Sequence, residues 1–219
     1  MIAGATLLAV GIVAPKVTAN SVVLTQNAYS YYVGGEFAAD TSQSFLANYK
    51  PEAIVGNGFE TFCIETTVEF YPGATYTYTL GSVDSQGRNL TKGAAYLYYE
   101  FGKGILKNYN YTDTTMRNAD ASALQAALWW FQGKQTYGNY PSLSGNVFYE
   151  EAISALGGVE NADLANNGRY GVDVLQMWDG TTAAQNQLVL VPDTGATAGL
   201  FAIGLTVLGV ARRRFQACC

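Results

Sequence analysis

An apolar segment closed by a cluster of arginines ends the chain and limits where a folded domain can lie. Residues 196–211 carry no charged side chain, and Arg212, Arg213 and Arg214 follow them directly. Arginines are costly to move through a bilayer and stay on the cytoplasmic side, so we predict a C-terminal transmembrane helix. At about 1.5 Å per residue it reaches about 24 Å, slightly short of a typical hydrocarbon core. A buried helix of a soluble domain is the alternative, which the arginines disfavour.

The start of the chain carries the pattern of a secretory signal peptide. Residues 3–14 form an apolar run of the length of a signal-peptide core, and the small-residue pattern Val17-Thr18-Ala19 precedes a cleavage site. Residues 1–19 are therefore predicted to be a signal peptide, with an N-terminal core strand as the alternative. Because no basic residue precedes Lys16, a natural start upstream of Met1 is expected.

The segment before the apolar tail reads Val191-Pro192-Asp193-Thr194-Gly195. This motif, the apolar run and the basic cluster, in that order, resemble the C-terminal sorting signals of the PEP-CTERM type and most closely their VPDSG variant. The resemblance implies a membrane anchor that an exosortase processes, passing the protein to the cell surface or the extracellular matrix. Residues 192–219 are therefore predicted to be a sorting signal and residues 20–191 an exported domain.

The predicted exported domain is acidic and contains no histidine. The chain of 219 residues has a net charge of −5, and removal of both ends takes away four basic residues but only one acidic residue, Asp193. An acidic surface disfavours nucleic acid as a partner. The absence of histidine excludes histidine-dependent triads and HExxH zinc sites. We predict that the domain binds no metal and no cofactor. We also predict that it is not an enzyme and performs at most a single, self-catalysed turnover.

Cys63 is the single cysteine of the predicted exported domain. Cys218 and Cys219 follow the arginines, where they would be cytoplasmic and reduced. A domain with one cysteine cannot close an internal disulfide, so Cys63 is buried and inert, paired between chains, or used for chemistry. Zinc and iron–sulfur sites are excluded because they need more ligands.

Strand patterns occupy the first third of the domain and its end. We predict strands at residues 21–24, 29–33, 59–71, 75–80, 170–178 and 185–191. Within residues 59–71, Phe62 and Ile64 share one face of the strand, whereas Cys63 and Glu65 point the other way. Cys63 is therefore predicted to face away from the core of its apolar neighbours.

The middle of the chain predicts three helices from its capping residues and helix-ending glycines. The first is capped by Thr91 and ends at Gly102, the second is capped by Asn118 or Asp120 and ends at Gly133, and the third covers residues 144–156. Strands followed by helices and again by strands indicate an α+β fold. We expect an antiparallel β-sandwich or barrel-like sheet with a grouped set of three helices.

Two short motifs in this body carry a resemblance to a known family. Phe62-Cys63-Ile64-Glu65 lies on a predicted strand, and Leu124-Gln125-Ala126-Ala127-Leu128-Trp129 lies on the second predicted helix. Together they resemble the thioester domains of bacterial surface adhesins. The resemblance implies that Cys63 supplies the sulfur and Gln125 the acyl group of an internal thioester, which an amine on another molecule attacks.

A thioester has to be shielded from water until its partner arrives. Phe62, Trp129 and Trp130 are candidates for the walls of a dry pocket, and Glu65 and Tyr98 are candidates for proton-handling or orienting groups. Ordinary core packing is the alternative role of these aromatic residues.

The motifs together predict an exported protein of the cell surface or extracellular matrix. It would attach covalently to amines on an unknown protein or polysaccharide surface through Cys63 and Gln125. The alternative is a structural or adhesive matrix protein that binds non-covalently and keeps Cys63 as an inert buried thiol.

Overall fold

The computed structural model describes residues 20–31, 34–42, 58–136, 138 and 143–191. The elements within these residues are β1 (Ser21–Tyr31), β2 (Gly34–Thr41), β3 (Phe59–Thr61), β4 (Thr75–Gly81), α1 (Lys92–Gly102), α2 (Thr114–Phe131), α3 (Val147–Leu156), α4 (Val159–Ala162), β5 (Val172–Asp179) and β6 (Thr182–Leu190). The predicted α+β class is confirmed. In the part of the chain that is described, no helix has the length and apolar character of a membrane span. The predicted signal peptide and the predicted transmembrane helix lie outside the described residues.

The strands form one six-stranded antiparallel sheet in the order β3-β2-β1-β4-β5-β6. Its two edge strands are also linked to each other just after β3. Ile64 N–H donates to the Asn186 carbonyl at 3.2 Å, and Leu188 N–H donates to the Phe62 carbonyl at 3.0 Å. The sheet is therefore joined edge to edge at this point, which pairs backbone groups that an open edge would expose.

Apolar side chains pack on both faces of the sheet. Successive residues of a strand point to opposite faces, and Val174 and Leu188 belong to a different core cluster from Leu175 and Val189. The first cluster also contains most of the buried apolar residues of α1, α2 and α3, and these three helices contact one another. The helices therefore cover one face of the sheet.

Side-chain caps set the limits of α1 and α3. Thr91 caps α1 as predicted, since its Oγ1 accepts the Ala94 N–H at 3.3 Å. The third helix begins at Val147, later than predicted, because the Asn146 side chain caps it. Gly157, in the left-handed conformation at φ +78°, ends that helix as the sequence predicts.

The predicted start of the second helix is wrong. Asp113 caps α2, and its Oδ1 accepts two backbone N–H groups of the first turn at 3.0 Å each. The predicted caps Asn118 and Asp120 lie inside the helix, and Asp120 Oδ2 instead accepts the Asn110 N–H at 2.8 Å. The one apolar residue in the first turn of α2, Met116, is exposed, so apolar periodicity does not reveal this turn.

The predicted strand at 59–71 is wrong over most of its length. Regular pairing ends at Thr61, and an isolated bridge follows at Cys63. Beyond this point, the Thr66 N–H donates to a side chain, Gln135 Oε1, at 3.0 Å rather than to a neighbouring strand. The predicted strand at 29–33 overlaps the end of β1, and β2, which begins at Gly34, is not predicted.

Replacing Gly93 with alanine is expected to destabilise the protein by about 1–3 kcal/mol, the usual cost of overpacking a core. A Cβ at Gly93 would lie 2.5 Å from the Cδ1 of Phe131, whose ring is buried between helices and sheet. Urea unfolding measures the change. Gly138→Ala is the control, because no atom of the described residues lies within 4 Å of a Cβ built there. Equal stability of the two variants would contradict the clash.

Candidate functional site

Cys63 and Gln125 meet in the interior, although they come from a strand extension and a helix. The Cys63 Sγ–H donates to Gln125 Oε1 at 3.3 Å, and Gln125 Nε2 donates to the Cys63 backbone carbonyl at 2.7 Å. Both side chains are fully buried. The two hydrogen bonds hold the carboxamide beside the sulfur with its oxygen toward the thiol, so a nucleophile lies next to an acyl group.

Gly35, at the start of β2, supplies a further contact to this carboxamide. Its backbone N–H donates to Gln125 Oε1 at 3.2 Å. The φ angle of Gly35 is +92°, a conformation that favours glycine. Gln125 Oε1 therefore accepts from two donors, the Gly35 N–H and the Cys63 thiol, which together polarise its carbonyl group.

The surroundings of Cys63 are dry and aromatic. Cys63, Phe37 and Trp129 form a small buried cluster, and the partly buried Phe70 packs edge-on against Phe37 with 4.9 Å between ring centroids. Burial raises the pKa of the Cys63 thiol far above its ordinary value; a hydrogen bond with the Trp129 side chain lowers it, and the charge of Glu65 raises it. Cys63 is therefore a thiol rather than a thiolate at neutral pH.

Among the five predicted pocket residues, Trp129 is the one that shares the cluster of Cys63. Phe62 packs in the helix-side core, with its ring 5.0 Å from that of Phe101. Cys63 thus faces away from the core of Phe62, as predicted. Trp130 is partly exposed, and its ring lies 5.6 Å from the ammonium of Lys134.

The two predicted proton-handling residues, Glu65 and Tyr98, are bound to neighbours other than the carboxamide. The buried Glu65 carboxylate accepts the Ser85 N–H at 2.6 Å and the Asn186 N–H at 2.9 Å, tying together two segments of the fold. Tyr98 O–H donates to the Glu60 carbonyl at 2.9 Å, and burial raises the pKa of its phenol.

A buried ionic cluster beside this site is not predicted by the sequence analysis. Arg117, eight positions before Gln125 in α2, binds Glu36 of β2 through Nε and Nη2, both at 2.9 Å. Its Nη2 also binds Glu60 Oε1 of β3 at 2.7 Å. The three side chains are buried, and Tyr109 O–H donates to Glu36. The cluster therefore fastens α2 to the residue that follows Gly35.

A known motif coincides with the end of the chain, beyond the buried site. The C-terminal tail matches the VPDSG-CTERM motif. The match covers residues 191–215 and includes every residue of the predicted sorting signal, Val191, Pro192, Asp193, Thr194, Gly195, Arg212, Arg213 and Arg214. The VPDSG-CTERM tail supports an exported, surface-anchored protein that is held in the membrane before an exosortase-type enzyme processes it. Val191 is the last described residue, and the rest of the tail lies outside the described part.

No curated protein and no solved structure matches the chain. The resemblance to thioester domains of adhesins therefore has no support from a relative, and it rests on the residues of this chain alone.

Proposed function

We propose that the domain at residues 20–191 forms an internal thioester between Cys63 Sγ and Gln125 Cδ and presents it outside the cell. An amine on a protein or polysaccharide surface then attacks the thioester and becomes joined to Gln125. The observation that carries the proposal is the 3.3 Å contact between Cys63 Sγ and Gln125 Oε1, made by two fully buried side chains.

Thioester formation starts from the protonated thiol, since burial keeps the proton on Cys63. Sulfur adds to the carbonyl carbon of Gln125 while the thiol proton passes to the carboxamide. The Gly35 N–H stabilises the negative charge that develops on Oε1. The C–N bond then breaks, and Nε2 leaves with the thiol proton as ammonia. One C–S bond replaces one C–N bond, and no further reactant is needed.

In the coupling to a partner, the C–S bond breaks and a new C–N bond forms. The amine nitrogen attacks the same carbon, the C–S bond breaks, and one amine proton ends on the Cys63 sulfur. The product is an amide at Gln125 and a free thiol. The burial of Cys63 with Phe37 and Trp129 supports this use, because excluded water cannot hydrolyse the thioester before the amine arrives.

A non-covalent matrix protein is the second candidate function. The full burial of Cys63 and its raised pKa favour this alternative as well, because an inert structural thiol has the same properties. The VPDSG-CTERM tail is equally suited to both candidates, so the state of Cys63 and Gln125 decides between them.

Intact mass of the full chain, purified without amines, tests the proposal. We expect a mass lower by one ammonia than the sequence requires, and no alkylation of Cys63 after unfolding. Methylamine should then add once, at Gln125, and expose the Cys63 thiol to alkylation. An unmodified mass together with an alkylated Cys63 before methylamine treatment would exclude the thioester and favour the matrix protein.

A further inference from the structure

Gln187 in β6 lies directly opposite Cys63. The two residues form an antiparallel bridge, and the flanking hydrogen bonds, Leu188 N–H to Phe62 O and Ile64 N–H to Asn186 O, identify it as a pair that is not itself hydrogen-bonded. In such pairs the Cα atoms are about 4.5 Å apart and the side chains are at their closest. Directly opposite residues project from the same face of the sheet, which brings the Gln187 side chain next to that of Cys63.

Only one of the two polar groups of the Gln187 carboxamide forms a hydrogen bond with a described residue. Its Nε2 donates to the Gln185 carbonyl at 3.3 Å. Its Oε1 is buried and accepts no hydrogen bond from any described residue, although Gln187 has no exposed surface. A buried acceptor without a donor is costly, and in a native protein it calls for an explanation such as a catalytic role or a bound group.

We propose that Gln187 Oε1 binds an N–H of the primary amine that attacks the thioester. This assignment rests on the proposed function, because it needs an electrophilic carbon at Gln125. The unused oxygen lies across the strand pair from the sulfur, where it can hold a nitrogen close to the acyl carbon. Gln187 thereby orients the amine lone pair toward Gln125 Cδ.

The hydrogens of the nucleophile explain why an amine suits this acceptor. A neutral primary amine has two N–H hydrogens. During aminolysis one of them passes to the Cys63 sulfur as the C–S bond breaks, and the other remains on nitrogen in the new amide. The remaining hydrogen can stay bonded to Gln187 Oε1 throughout the reaction. An alcohol has one hydrogen, which has to leave, so it loses this contact as it reacts.

Gln187→Met separates this role from packing, because methionine keeps the shape and removes the acceptor. We expect the full-chain variant to keep the mass deficit of one ammonia. Its rate constant with methylamine should fall about tenfold, the effect of one lost hydrogen bond. Its rate constant with a small thiol in the thiolate form should stay unchanged, because a thiolate has no hydrogen to donate. Gln187→Glu, which restores an acceptor oxygen, should recover the methylamine rate.

The outcomes distinguish this assignment from the proposed function. A natural chain without the ammonia deficit would overturn the thioester, and with it the assignment. A deficit that is present in both chains, with equal methylamine rates, would overturn the role of Gln187 and leave the thioester intact. Equal losses with methylamine and with the thiolate would also overturn it, because they indicate a general change in the pocket.

Discussion

Replacing Arg117 with methionine is expected to lower the free energy of unfolding by about 3–5 kcal/mol, the range measured when one partner of a buried ion pair is removed. The variant leaves the Glu36 and Glu60 carboxylates buried on adjacent strands without the guanidinium that binds both. Methionine preserves much of the side-chain volume, so the loss reports charge and hydrogen bonding rather than a cavity. Urea unfolding, followed by tryptophan fluorescence, measures the change.

Lys134→Met is the matched control for this effect. Lys134 also pairs with a carboxylate, that of Asp163, but 42% of the lysine side chain and 34% of the aspartate side chain are exposed. Exposed pairs contribute about 0–1 kcal/mol, so we expect a small change. A similar loss of stability in both variants would contradict the special importance of the buried cluster.

The importance of Arg117 follows from what it connects. It joins α2 to β2 and β3, and Gln125 lies further along the same helix. Glu36 follows Gly35, whose N–H reaches the Gln125 carboxamide. The ionic cluster therefore holds α2 against β2, the strand whose Gly35 contacts the Gln125 carboxamide.

Local patterns in the sequence predict some of these features and not others. The α+β class, the Thr91 cap and the end of α3 at Gly157 follow from short segments, because capping and turn chemistry act within a few residues. The ion pairs of Arg117 join positions that are 81 and 57 residues apart. Such pairings depend on strand order, which periodicity does not contain.

The segment around Cys63 shows why the same pattern can be right at one end and wrong at the other. The alternation of side chains along a strand correctly places Cys63 and Phe62 on opposite faces, in different core clusters. It also predicts a continuous strand to residue 71, whereas regular pairing ends at Thr61 and, from Ile64 onward, side chains of the segment after α2 and of β6 bind the backbone. Gln135 Nε2 donates to the Ile64 carbonyl at 2.9 Å, and Gln185 Nε2 donates to the Glu65 carbonyl at 2.7 Å.

The residues of the candidate site also include some that the sequence predicts and some that it does not. Cys63 and Gln125 are found through their motif context, and the structure brings them into contact. Gly35 and Gln187 are not found, since a glycine at the start of a strand and a glutamine within one are ordinary in sequence. Their proximity to Gln125 and Cys63 results from the pairing of β2 and β6 with their neighbours.

The glutamine at position 125 offers the sharpest test of the proposed chemistry. Gln125→Glu is expected to abolish the mass deficit and all coupling to methylamine. The side chain keeps its size, but a carboxyl group has no ammonia to release, and a carboxylate resists addition of sulfur. Cys63→Ala is expected to give the same complete loss through removal of the nucleophile. Intact mass before and after methylamine treatment, with circular dichroism to verify folding, measures both results.

Gln135→Glu is the control for this substitution, because it makes the same chemical change close to the site without touching the reacting atoms. Gln135 Oε1 accepts from the Thr66 N–H at 3.0 Å, and its Nε2 donates to the carbonyl of Ile64, which follows Cys63. We expect this variant to lose some stability and to retain the ammonia deficit. If Gln135→Glu lost the deficit while Gln125→Glu kept it, the acyl group would not come from Gln125. A loss confined to Gln125→Glu would identify the carbon that the sulfur attacks, because only that change removes the leaving group while the pocket around Cys63 remains.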